Sequence, residues 1–181
     1  MRTLEAVDQF LVPTGMVCFL RVFFMEKVSG GIEMYYQKSG DDYFLRVEKG
    51  EEVLESILAL CQHVGIKTAT FQGIGACDRV VVSTYIPEKA DFIAHEQQGM
   101  LEMVSLMGNI RLSGTDVTTH AHGSFSYLDD AGSVRVLAGH LTKAYVSYTA
   151  EIRISPAAEA ISLTFDPTTG IDVWHLANKL A

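Results

Sequence analysis

One amphipathic helix followed by a long series of strands is what most constrains the fold of this chain. Val53, Leu54, Ile57, Leu58, Cys61 and Val64 recur at the spacing of a single helical face. Gly50-Glu51-Glu52 opens the helix, with Gly50 as an acceptable N-cap and two carboxylates near the positive end of the helix dipole. Gly65 stops it. A short strand, Tyr43 to Val47, comes before the helix. After it come Lys67 to Phe71, Arg79 to Ile86, Leu101 to Met107, Val117 to Tyr127, Val134 to Leu141, Ala144 to Ile154 and Ile161 to Phe165. Pro87-Glu88-Lys89 and Gly108-Asn109 punctuate the series. One helix and many strands predict an α+β domain, with a mostly antiparallel, barrel-like sheet packed with the helix.

The run TTHAHGSFSYLDDAGSVRVLAGHL carries the chemistry. His120 and His122 lie two apart, so on a strand they project from the same face. His140 falls on the next strand, and the turn decides whether it joins them. A three-residue loop Asp130-Ala131-Gly132, with Gly132 left-handed, pairs Asp129 with Ser133. Counting outward then sets His122 opposite His140 on the same face. A slip of one residue would send His140 to the other side. Three imidazoles converging from strands with a fourth position open match a catalytic divalent-metal site, zinc first. The competing reading is that these are hydrogen-bonded neighbours of the core, as strand histidines often are. His63, His95 and His175 stand alone and read as structural or surface residues.

Glu102 lies among Leu101, Met103, Val104, Leu106 and Met107. A carboxylate in an apolar strand needs a partner, so Glu102 is either a metal neighbour or general acid/base near the histidines, or a strand-end or subunit-interface residue facing water. Alternation alone does not place it on the histidine face. Ser105, Ser124, Ser126 and Thr142 could add hydroxyls, but none has a nucleophile-elbow context. Gly73-Ile74-Gly75 resembles part of a dinucleotide fingerprint, yet a Val-rich strand follows where a helix is required, so it reads as a bend or bulge. Trp174 reads as a core anchor.

At 181 residues and 48% hydrophobic content the chain has enough material for one domain with a sizeable core. Its net charge of -8 disfavours attraction to nucleic-acid phosphates and to anionic membranes. Cys18, Cys61 and Cys77 are an odd number without paired spacing, which points to a reducing, cytoplasmic setting. Residues 1–33 look unlike the rest. Their apolar run MVCFLRVFFM is broken by Arg21 and too short to span a bilayer, so they read as a leader or disordered extension ahead of a single domain over 34–181.

The segments YFLRVEKGEEVLESILALC, IKTATFQGIGACD, LEMVSLMGNI, HAHGSFS and AGHL, in that order, resemble the PPC (plants and prokaryotes conserved) domain of the single-domain prokaryotic type, over roughly Tyr36 to Phe165. The resemblance implies an α+β fold, architecturally similar to acetolactate decarboxylase with its three-histidine zinc, and a homotrimer. By position in the motifs it gives His120, His122 and His140 as the matching histidines. It also implies the family label "DNA-binding", which comes from plant members carrying an AT-hook. No such basic segment occurs here, so direct DNA binding is doubtful. Two functions follow from these readings. One is a metal site that binds or acts on a small molecule. The other is a non-catalytic trimeric regulatory module, acting through DNA or a protein partner. The sequence does not decide whether the chain is an enzyme.

Overall fold

The structure is a computed structural model, and it describes residues 34–89 and 91–178. The expected leader, 1–33, lies outside the described residues. The elements are β1 (Tyr35–Ser39), β2 (Asp42–Glu48), α1 (Val53–Val64), β3 (Ala69–Ile86), a 3-10 turn (Pro87–Lys89), β4 (Asp91–Ser113), β5 (Asp116–Leu128), β6 (Val134–Pro156), β7 (Leu163–Asp166) and β8 (Ile171–Trp174). Six of the strands form one antiparallel sheet in the order β1-β2-β6-β3-β4-β5, and β5 pairs again with β6. Strands β6, β3, β4 and β5 thus close a circuit of pairings while β1 leaves an open edge. The α+β, antiparallel expectation holds, but the sheet curls without becoming a clear barrel.

Helix α1 packs its apolar stripe on this sheet. Val53, Leu54, Ile57, Leu60 and Cys61 are buried with Leu45, Val47, Val80, Val146 and Ile152 in one core. Burying each aliphatic side chain of this kind contributes about 1.5–3 kcal/mol. Gly65 takes the left-handed conformation at the C-cap, and Ile66 N donates to Cys61 O at 2.8 Å. The N-cap differs from expectation. It is Glu52, because its carboxylate reaches two donors at once while Gly50 serves the preceding turn. Glu52 is 6% exposed. One oxygen accepts from Glu55 N at 2.8 Å and the other from Ala144 N on β6 at 2.8 Å. Glu52→Ala removes the cap and strands a buried N–H. It is expected to cost about 2–4 kcal/mol in urea unfolding. An unchanged midpoint would contradict this role.

The long strands outrun their sequence signals. Strand β3 continues through Gly73-Ile74-Gly75, where the pairing with β4 shifts register, so the glycines mark a bulge inside one strand. Strand β4 continues through Gly108-Asn109. Gly108 is there because a Cβ would run into the Phe71 ring, not because the chain turns. The strand expected over Ile161 to Phe165 lies outside the six-stranded sheet. This strand, β7, pairs with β8 in a separate ribbon, tied to β4 by a bridge between Leu112 and Ser162. Trp174 sits on that ribbon at 38% exposure and anchors no core.

Candidate metal centre

The β5–β6 hairpin has the predicted turn. Asp129 N donates to Ser133 O at 2.9 Å, Gly132 N donates to Asp129 O at 2.8 Å, and Gly132 has φ +77°. The Asp129 carboxylate also accepts from Ser133 N at 2.8 Å and Ala131 N at 3.0 Å. These bonds, with Arg135, hold its carboxyl below the usual range. With the turn fixed, the register follows: Ser126 faces Val136, Ser124 faces Ala138, and His122 faces His140. On β5, Ala121, Gly123 and Phe125 are buried, so the histidines alternate onto the opposite face.

The three imidazoles meet there. Ring centroids lie 5.4 Å apart for His120 and His122, 5.2 Å for His120 and His140, and 5.5 Å for His122 and His140. One nitrogen of each ring lies within 4.8 Å of the others. Three nitrogens each about 2.0–2.1 Å from one tetrahedral ion stand roughly 3.3 Å apart. Small side-chain rotations bring the observed set to that spacing, so the donors fit a divalent ion and leave a position open.

The surroundings come from two other strands and from β6 itself. Strand β4 sets Asn109 opposite His120 and Met107 opposite His122. Strand β3 sets Ser83 opposite His140, and Ser83 Oγ lies 3.0 Å from Thr142 Oγ1. The Phe92 ring lies 5.5 Å from His140 and 5.2 Å from the Tyr85 ring. A cleft of about 540 Å³ opens beside His120 and His122, lined in part by Asn109, Met107 and Arg153. Burial lowers the pKa of His120 and His140, and the Arg111 guanidinium and the neighbouring imidazoles lower them further. Both are therefore neutral, the ligating form, at neutral pH.

These shifts set a pH dependence. Protons would compete with any ion held on these nitrogens, so retention at neutral pH and release on acidification are expected of such an ion. Because the folded pKa values lie below the ordinary imidazole value of about 6.5, release falls below that pH. The sign for stability is the same. Below about 6.5 the unfolded chain binds more protons than the folded one, so the metal-free protein loses stability as pH falls. A zinc titration at several pH values checks the first statement; retention independent of pH would contradict it.

The structure does not bring Glu102 to the imidazoles. It is exposed on β4 and pairs with Ala76 and with Ser126, which is four residues along β5 from His122. At about 3.4 Å per residue that is roughly 14 Å, beyond hydrogen-bond reach of the site. A bulge between Met103 and Ser105 intervenes. His63, His95 and His175 lie outside the trio. Sequence reasoning missed Ser83, Tyr85, Phe92, Asn109 and Arg111. Tyr85 and Phe92 were within reach of a hairpin count, since they pair across the Pro87–Lys89 turn. Ser83 comes to His140 only through the distant β3–β6 pairing, which no local signal announces.

A curled antiparallel sheet carrying three imidazoles on one face of a hairpin defines an α+β protein with a cluster that could hold a metal ion. The family model described as the Plants and Prokaryotes Conserved (PCC) domain matches residues 34–157, and the chain belongs to that family. Strands β7 and β8 lie beyond the matched stretch. Solved structures similar to this chain include these three. A candidate DNA-binding protein from Bacteroides thetaiotaomicron is 25% identical, with a TM-score of 0.71 over 78% of this chain and 96% of that one. A metal-containing protein from Archaeoglobus fulgidus is 28% identical, with a TM-score of 0.66 over 78% and 99%. A plant- and prokaryote-conserved (PPC) protein from Pyrococcus horikoshii is 28% identical, with a TM-score of 0.65 over 84% and 100%. No curated protein matches the chain.

Proposed function

We propose that this chain holds one divalent ion, zinc first, on His120, His122 and His140, and uses the site to bind or act on a small molecule. The observation that carries this reading is the meeting of three imidazole nitrogens within 4.8 Å, from strands whose register the turn fixes. An imidazole-only set with an open position suits zinc, which when bound polarises a carbonyl or lowers the pKa of a water. The chain's own contribution is the wall of Phe92 and Tyr85 beside His140 and the paired hydroxyls of Ser83 and Thr142. The similarity to a protein named as metal-containing supports the reading. Elemental analysis of chelator-treated, zinc-reconstituted protein tests it. About one ion per chain is expected, and none would overturn it. Glu102 stays outside the ligand set, so Glu102→Gln is expected to leave the metal content unchanged.

The assembly that goes with this site is a homotrimer. The number three rests on the resemblance alone, but a covered face is supported by the surface. Phe44, Ile74, Val104 and Met107 are exposed apolar side chains along a groove of about 870 Å³. Gln72, Met107 and Arg153 line both that groove and the cleft at His120 and His122. A second copy seated in the groove would therefore wall the metal cleft. Light scattering is expected to give three times the chain mass, and a monomer would remove the trimer. Cys61 and Cys77 are free and buried, and burial pushes their thiols up to about 12, in keeping with inert thiols in a reducing cytoplasm. No helix among the described residues is long and apolar enough to cross a membrane.

A second reading is a non-catalytic regulatory module, favoured by the similarity to a protein named as a candidate DNA-binding protein. The net charge of -8 opposes direct contact with phosphates. Anisotropy of labelled duplex DNA across salt concentrations separates the two. Binding that weakens steeply with salt supports the DNA version, and no binding at low salt removes it.

A further inference from the structure

The metal-site reading leaves the substrate class open, and Arg111 narrows it. Arg111 lies on β4 opposite Thr118, two residues beyond Asn109, which faces His120. Cross-strand partners and residues two apart share a face, so Arg111 projects on the histidine side as a diagonal neighbour of His120. Its Nε is buried without a hydrogen-bond partner. The ion pairs among the described residues go to Arg46, Arg79, Arg135, Lys143 and Arg153 instead. Arg153, the cation lining the cleft itself, is neutralised by Asp42 at 2.6 and 2.9 Å. Arg111 therefore brings an uncompensated positive charge beside a site that is to hold a second one. Two adjacent cations without an anion are unfavourable, and a guanidinium is built to receive a carboxylate through two parallel bonds.

We infer that the site takes a small carboxylate bearing an adjacent hydroxyl or carbonyl oxygen, with Arg111 receiving the carboxylate and the ion beside the three imidazoles receiving the other oxygen. The inference rests on the metal reading. Arg111 stands diagonally across from His120 on the neighbouring strand, which places its charge on the face that carries the open position. Neutral sugars, alcohols and free bases would leave the guanidinium uncompensated and are disfavoured by the same argument.

The test uses the full chain loaded with cobalt(II), whose visible spectrum reports changes at the ion, in wild type, Arg111→Met and Arg111→Lys. Metal affinity is measured first by calorimetry, then glycolate and the neutral ethylene glycol are titrated. In wild type, glycolate is expected to shift the cobalt bands and ethylene glycol is not. Arg111→Met is expected to bind cobalt as tightly or more tightly, since a like charge is gone. It should bind glycolate roughly ten- to a hundredfold more weakly, the scale of one lost bond to a charged group. Arg111→Lys should recover part of the loss, and it keeps the test open if the Met variant does not fold. A merely structural arginine would change stability without these opposite shifts. Equal glycolate affinity in wild type and Arg111→Met, or no carboxylate preference in wild type, overturns the inference while leaving the metal reading standing. Failure of the wild type to bind cobalt overturns both.

Discussion

His122→Ala is expected to reduce bound zinc from about one ion per chain to a trace, with the fold retained. His122 is the central donor of the trio. It shares its strand with His120 and directly faces His140. Losing a ligand removes more than the roughly 10–100-fold in affinity that goes with loss of a supporting contact. It also leaves two nitrogens where tetrahedral zinc sites take three or four from the protein. Because His122 is exposed and the buried residues on either side of it, Ala121 and Gly123, are untouched, metal-free stability should change by about 0.5 kcal/mol or less. The variant is therefore read against its own thermal shift. Zinc at about a hundred times its dissociation constant stabilises the wild type by roughly 2.7 kcal/mol and the variant by nothing. Equal zinc stabilisation of both proteins would remove His122 from the site.

Gly75→Ala is expected to be the most damaging single methyl group added to this sheet. Gly75 is paired on both sides, with Ala150 on β6 and Met103 on β4. A Cβ there would stand 2.6 Å from Thr149 O and 2.7 Å from Ala150 Cα. Those are backbone atoms of a neighbouring strand, so no side-chain rotation relieves the contact. Either β3 and β6 separate or the bulge is lost. Overpacking of this kind costs about 1–3 kcal/mol, and more where the backbone must move, so a loss of about 3 kcal/mol is expected in denaturant unfolding. The helix should remain, because its contacts lie elsewhere in the core. A wild-type midpoint would mean that the strands are not held so closely.

These two positions show what the sequence could and could not reveal. The histidine cluster was legible because its geometry is local. The Asp130-Ala131-Gly132 turn fixes one pair, parity does the rest, and no bulge intervenes before His140. Gly73-Ile74-Gly75 was legible as a bulge because the Val-rich strand after it excluded a phosphate loop. Glu102 was not legible. Its strand carries a register shift between Met103 and Ser105, and which residues it faces depends on the β4–β5 pairing. Glu52 was passed over as a cap because Gly50 satisfies the local rule; the second donor it serves, Ala144 N, is 92 residues away. Arg111 looks like any cation at the end of a strand until its lack of an acid partner among the described residues and its nearness to His120 are seen together. Strand β7 alternates like the others, yet it pairs with β8, and nothing in its composition separates a sheet strand from a short ribbon.

X-ray absorption at the zinc edge of wild-type protein loaded with one equivalent of zinc tests the central claim most directly. The account predicts an ion with three imidazole nitrogens at about 2.0–2.1 Å and an oxygen donor in the remaining position. An ion bound by fewer than three imidazoles, by sulfur, or only by scattered carboxylates would contradict it.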